Sequence, residues 1–248
     1  MKDQSERKNT LLFLSSQAIS LFGSALVQYA ITWYITLKTQ SGLLLAGSII
    51  CGFLPTLFIS PFSGALADRY DRKWLIALAD TSIAVTTLIV AIIFYLGYDR
   101  FWMLFVALAI RAVGAGIQNP AVGAILPQFV AKENLARVNA VNGSIQSAIM
   151  LLAPMLGGAV FATTSITLIF LIDVITAILG VSILMRLNIP PMKRAKKAEK
   201  SGVLADMADG VRYIRDHKYL KSLFSFCAVY FMLVAPDAFL TPLQVART

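Results

Sequence analysis

Apolar runs long enough to cross a bilayer recur along almost the whole chain, separated by short polar or charged segments. With about 20 apolar residues needed per crossing, the pattern predicts seven spans, near residues 11–37, 43–66, 74–97, 101–125, 139–161, 165–187 and 220–243. Pro190-Pro191 stops the sixth span, and a basic stretch from Lys193 to Lys200 follows. Beyond it Val203, Met207, Val211 and Ile214 recur at helical spacing, which reads as an amphipathic helix along the cytoplasmic membrane face. The predicted organisation is a six-span bundle over 1–187, a basic linker over 188–219 and a seventh span within 220–248, all α-helical.

Composition supports a membrane protein. The 248 residues are 58% hydrophobic and 14% charged, and the mean hydropathy is +0.73. That balance excludes a water-soluble enzyme or a nucleic-acid reader, because one soluble core cannot hide so much apolar surface. The net charge of +9 is explained by placement. Lys2, Arg7 and Lys8 precede the first span; if they hold the N-terminus in the cytoplasm, the inner segments collect Arg69, Arg72, Lys73, Lys132, Arg137, Arg186 and the 193–221 cations. The outer loops keep only Lys38 and Arg100, a positive-inside bias. Cys51 and Cys227 both fall inside apolar spans, which argues against a disulfide framework. His217, beside Asp216 and Lys218, reads as a solvated residue, and no His, Cys and carboxylate cluster has metal-ligand spacing. There is no P-loop pattern. Neither metal nor cofactor is expected.

Two features suggest a repeat with a wet interior. Pro61-Phe62-Ser63-Gly64-Ala65 near the inner end of span two and Pro154-Met155-Leu156-Gly157-Gly158 near the outer end of span five share a P-x-x-G-small pattern in opposite orientations. Spans 1–3 and 4–6 therefore read as inverted copies, an arrangement from which many secondary transporters are built, or as ordinary close helix packing. Polar stripes also line single helix faces. They comprise Gln17, Ser20, Ser24, Gln28 and Thr32 in span one; Arg111, Gly114, Ala115 and Gln118 in span four; Asn139, Asn142, Gln146 and Gly157 in span five; and Phe226, Tyr230, Asp237 and Thr241 in span seven. For the Ser and Thr members, interhelical hydrogen bonds used in packing are the alternative reading.

Arg111 sits about ten residues into span four, roughly 15 Å deep, where an arginine costs on the order of 3 kcal/mol. It must face protein or water, as a tie between helices or as part of a coupling and substrate site. Asp80, Asp173 and Asp237 also lie within spans. A carboxyl group in a low-dielectric cavity is disfavoured in its charged form, which suits Asp173 and Asp237 to carry a proton reversibly; for Asp173 a neutral, hydrogen-bonded packing role is the alternative reading. Asp80 lies nearer the inner end and is expected to pair with Arg69 or Arg72 in a structural or gating role.

The loop after span two, Gly64-Ala65-Leu66-Ala67-Asp68-Arg69-Tyr70-Asp71-Arg72-Lys73, resembles the major facilitator superfamily signature G-x-x-x-D-R-x-G-R-[RK], with Asp71 replacing the second glycine. Its D-R-x-D-R-[RK] form is similar to the macrolide efflux branch. Arg111-Ala112-Val113-Gly114-Ala115-Gly116 resembles a second family motif, associated with proton coupling. Ala153-Pro154-Met155-Leu156-Gly157-Gly158 resembles the G-P-x-x-G-G motif of drug antiporters, and Gly210 to Arg215 also looks like the macrolide branch.

The resemblance implies an N-terminal six-helix half of a major facilitator fold, plus the first helix of a second half, in a bacterial cell membrane. Members have twelve spans, so the chain is expected to be truncated and to lack its second wall or to self-associate. The implied activity is export of hydrophobic drugs, macrolides by resemblance, by drug/proton antiport with the proton gradient as energy source. Arg111, Asp173 and Asp237 would couple protons; Gly64, Asp68, Arg69, Arg72, Lys73 and Asp80 would form the gate; Pro154, Gly157 and Gly158 the antiporter motif. Gln17, Ser24, Gln28, Gln118, Gln146 and Tyr230 would line the substrate cavity, within membrane lipid and without nucleic acid. Export of a siderophore or other amphiphile, and a non-transporting remnant, are the alternatives. A retinal-type seven-span protein needs a lysine deep in its last span, and Lys221 is too shallow.

Overall fold

The computed structural model describes residues 2–189, 212–217, 219–230 and 232–233. Six long helices dominate: α1 (Lys2–Thr39), α2 (Gly42–Arg69), α3 (Arg72–Tyr95), α4 (Phe101–Ile125), α5 (Lys132–Thr163) and α6 (Ile166–Met185), with a 3-10 turn at Leu126–Gln128 between α4 and α5. All six are long and apolar enough to cross a membrane. The chain is helical again over 212–216 and 219–230, the start of the predicted seventh span. The remainder of that span, with Asp237 and Thr241, and most of the basic linker lie outside the described residues.

The predicted spans fall on these helices. Both α1 and α5 begin well before their apolar runs, α5 at Lys132. Its first turns carry Lys132, Glu133, Asn134 and Arg137, and Glu6 of α1 holds the helix start in place. Its Oε1 accepts from the Ala131 amide at 3.1 Å and the Asn134 amide nitrogen at 2.9 Å. A side chain from another helix thus supplies the cap that Ala131 lacks.

Hydrogen bonds at the chain turns show that the helices alternate in direction. Asn9 near the start of α1 donates to the carbonyl of Asn188 after α6. Arg72 at the start of α3 donates to carbonyls of Ala67 in α2 and Ala124 in α4. At the opposite end the Tyr34 hydroxyl donates to Asp99 at 3.2 Å, between α3 and α4. The first end therefore gathers the starts of α1, α3 and α5 with the ends of α2, α4 and α6.

The main packing pairs are α2 with α4, α1 with α6, α3 with α4, α3 with α6, and α1 with α5. Exchanging α1 with α4, α2 with α5 and α3 with α6 maps that set onto itself. The sequence keeps the same register, because Gly23 and Gly116, Pro61 and Pro154, Gly64 and Gly157, and Asp80 and Asp173 are separated by one common interval. Since α1 and α4 start at opposite ends, the copies are inverted.

Two apolar clusters fill the bundle. One, around Val27, Ile31, Ile35, Leu104 and Phe170, lies toward the Tyr34 end; the other, around Phe13, Ile76, Ile125, Leu126 and Leu184, lies toward the end holding the N-terminus. The polar groups described next come from helix positions between them. By contrast, α2 and α5 expose large apolar residues, among them Phe53, Leu57, Phe58, Met150, Leu151 and Met155.

Candidate functional site: a buried charge pair behind a central cavity

Arg111 projects from α4 into the seam where α1, α3 and α6 meet, and it is 5% exposed. Its Nη1 donates to Asp173 Oδ2 of α6 and to Thr87 Oγ1 of α3, both at 2.6 Å, and its Nη2 donates to the Ser24 carbonyl of α1 at 2.9 Å. Asp173 is fully buried. It also accepts from the hydroxyls of Ser24 at 3.1 Å and Thr87 at 2.9 Å. The guanidinium fork therefore ties four helices together, and each carboxylate oxygen has a donor. Such satisfaction is what allows an ion pair to persist away from water. Asp173, expected to carry a proton, is the carboxyl partner of Arg111 in this pair.

Asp80 occupies the equivalent repeat position on α3 and is 3% exposed, yet its surroundings differ. Ser20 Oγ donates to its Oδ1 at 2.8 Å and Gln118 Nε2 donates to the same oxygen at 2.9 Å. The expected pairing with Arg69 or Arg72 is not made, because Asp80 turns inward between α1 and α4 while Arg72 stays at the helix ends. No cation bonds Asp80 among the described residues.

A cavity of about 610 Å³ opens beside this cluster. Ser24, Gln28 and Tyr29 of α1, Gly52 of α2, Arg111 and Gln118 of α4, and Gln146 and Ser147 of α5 line it with apolar Leu21, Ile83, Ile149 and Met150. Ser24, Gln28, Gln118 and Gln146 thus come together as cavity residues. Gln17 does not reach this cavity; it is 1% exposed, and its Nε2 has no hydrogen-bond partner among the described residues. Nor does Tyr230 line it: that side chain is exposed and stacks against Phe226 with ring centroids 6.4 Å apart.

The 64–73 segment acts mainly through helix ends. Arg72 binds the Ala67 and Ala124 carbonyls at 2.8 and 2.6 Å and Asp68 at 3.3 Å. Lys73 Nζ donates to the carbonyls of Met185 and Leu187 at 2.9 and 2.7 Å, capping α6. Asp71 stands where the signature has glycine. Its φ is −63°, which no residue finds strained, and its side chain accepts from the Lys73 amide as the N-cap of α3. Gly64, assigned to the gate, has no atom of another described element within 4 Å of where a Cβ would stand. Close helix contact is found at Gly157, where a Cβ would come within 3.3 Å of Tyr29 Cβ on α1, and Gly158 faces Trp33. Pro154 lies within α5 one turn earlier.

Thr87 was missed from sequence, although it stands seven residues from Asp80 on α3 and so shares its face. Tyr29, Asn119 and Ser147 were also missed; adjacent to stripe members, they widen the polar sector rather than extend it.

The sequence profile of the Major Facilitator Superfamily matches residues 12–246. The chain belongs to this superfamily. Among similar major facilitator proteins, macrolide efflux protein A of Streptococcus pyogenes is 29% identical over 229 residues, covering 92% of this chain and 56% of the relative. Its Enterococcus faecalis namesake is 27% identical over 203 residues, covering 82% and 62%. The staphyloferrin A transporter of Staphylococcus aureus is 21% identical over 192 residues, covering 77% and 48%. The chain spans about half the length of these relatives. A crystal structure of a bacterial homolog of the human lysosomal transporter Spinster, inward-facing and unoccupied, superposes with a TM-score of 0.53 at 16% identity. It covers 81% of this chain and 47% of that one, and supports the major facilitator fold.

Proposed function

We propose that this chain supplies one half of a secondary active exporter of hydrophobic drugs of the macrolide type, working by drug/proton antiport and alternating access in a bacterial cell membrane with its N-terminus cytoplasmic. The observation that carries this reading is the mid-bundle cavity with the Arg111–Asp173 pair in its wall. Macrolide efflux proteins among the relatives support a macrolide-type substrate. The lining suits an amphiphile: Leu21, Ile83, Ile149 and Met150 offer apolar surface, while the amides of Gln28, Gln118 and Gln146 offer hydrogen bonds to hydroxyls and carbonyls.

Coupling follows from the pair's position. Arg111 holds α1, α3 and α6 together through one guanidinium, so a change of charge at a buried carboxyl in this part of the bundle alters the relative stability of its arrangements. The exposed faces of α2 and α5 are where a second half, or a second copy, would close the cavity. Protons are the energy source and no resident cofactor is invoked. Asp68, Arg69, Arg72 and Lys73 are assigned to the gate, and Asp237 stays a candidate for coupling.

Siderophore export is the second reading, on the strength of the staphyloferrin A relative. The cavity favours the first, because Arg111 is its one charged lining residue among those described, and that guanidinium is already taken up by Asp173, Thr87 and Ser24. Everted membrane vesicles carrying the protein should accumulate a radiolabelled macrolide when a pH gradient is imposed, and Arg111→Ala should abolish this. Accumulation that ignores the gradient, or survives the substitution, refutes the antiport reading.

A further inference from the structure

The inverted repeat places two carboxylic acids, Asp80 and Asp173, at equivalent positions, but the bundle interior supplies one cation. Arg111 is committed to Asp173 through a 2.6 Å contact. Asp80 is bonded by two neutral donors, Ser20 and Gln118, both on Oδ1, which leaves Oδ2 without a partner among the described residues. The elements packed against α3 bring few other charges to it. Helix α4 brings Arg111, already paired, and α6 brings Asp173, whose like charge reaches Asp80. From α1 the facing group is the neutral Ser20, with the neutral Gln17 one turn away, and α2 touches α3 only lightly.

With both acids ionised, the interior would hold an uncompensated negative charge. Desolvation makes that expensive in a membrane, and two like charges sharing a region disfavour double ionisation. A carboxylic acid at Asp80 restores neutrality without disturbing the Arg111–Asp173 pair.

We infer that Asp80 is the proton-binding group of this bundle, taking up a proton at Oδ2 while Asp173 stays bound to Arg111. The step is a simple acid–base exchange: the carboxylate accepts one proton to become the acid and later releases it, with nothing oxidised or reduced. A route exists in outline. Gln118, which donates to Asp80 Oδ1, also lines the cavity, so one side chain separates the acid from solvent. This assignment rests on the antiport reading, deepens it, and moves the proton from Asp173 and Asp237 to Asp80, the matching acid of the first repeat.

Infrared difference spectroscopy on the full 248-residue chain in lipid nanodiscs, with isotope-labelled aspartate, tests it directly. At neutral pH a protonated-carboxyl C=O band should be present, should shift in heavy water, and should vanish in Asp80→Asn. Gln118→Leu should move the band to higher frequency, because the Oδ1 carbonyl loses a donor; this second variant decides the matter if Asp80→Asn does not fold. A band that persists in Asp80→Asn, is unmoved by Gln118→Leu, or is absent throughout the titration overturns the assignment. Proton-driven macrolide uptake is read separately in vesicles. Its absence with the band intact refutes antiport but leaves the Asp80 protonation site standing.

Discussion

Removing either partner of the Arg111–Asp173 pair should be far more harmful than removing both. In Asp173→Leu the guanidinium keeps only the Thr87 hydroxyl and the Ser24 carbonyl, and in Arg111→Leu the fully buried carboxylate keeps only the hydroxyls of Ser24 and Thr87. Breaking a buried pair from one side costs about 3–5 kcal/mol, whereas replacing both partners with apolar groups of similar volume is often close to neutral. Each single variant should therefore lose about 3–5 kcal/mol, and the double Arg111→Leu/Asp173→Leu should lose markedly less than either. The corresponding coupling energy exceeds the 0.5–3 kcal/mol common for residues in contact. The assay is reversible unfolding in mixed micelles followed by tryptophan fluorescence and circular dichroism, with the four proteins closing a double-mutant cycle. Additive losses, or a single variant within about 1 kcal/mol of wild type, would refute the claim that these two residues form an isolated, mutually dependent pair.

Arg111→Lys should keep the charge but lose the fork, since one ammonium cannot span the Asp173 carboxylate and the Ser24 carbonyl as two guanidinium nitrogens do; the same unfolding assay should show a loss of about 1–2 kcal/mol. Gly23→Ala should be disruptive, because a Cβ there would lie 1.8 Å from Thr176 Oγ1 and 3.2 Å from Asp173 Cα; overpacking of about 1–3 kcal/mol is expected, with Gly64→Ala near neutral in the same melts. Lys73→Met should free the α6 carbonyls at Met185 and Leu187, read as faster amide exchange at the end of α6 while α1 is unchanged. Gln146→Ala should weaken macrolide binding by a few-fold in a fluorescence titration without shifting the melting temperature, since Gln146 is exposed on the cavity wall.

The helices were legible because the hydrocarbon layer leaves few ways to satisfy a backbone, so an apolar run of the right length announces its own structure. Arg111 was legible for the same reason, since a guanidinium at that depth has to be doing something. Its partner was not. Asp173 is 62 residues away on a helix that is not among the main packing partners of α4, and nothing in local periodicity links them. Depth alone also suggested a partner for Asp80 that the structure does not supply, because distance from the helix end says nothing about which way the side chain turns. Asp71 shows a motif read too literally: the position calls for a helix cap, and φ −63° makes no demand for glycine. Gly64 shows the reverse, a signature glycine whose space is open in the described chain.

A backbone made of two inverted copies looks the same from either side of the membrane, so any difference between its two faces lies in what the copies do not share. In the interior that difference is plain at two matched carboxyls: one faces an arginine and the other a serine and a glutamine. The bundle is therefore electrically lopsided along its length even though its backbone is not.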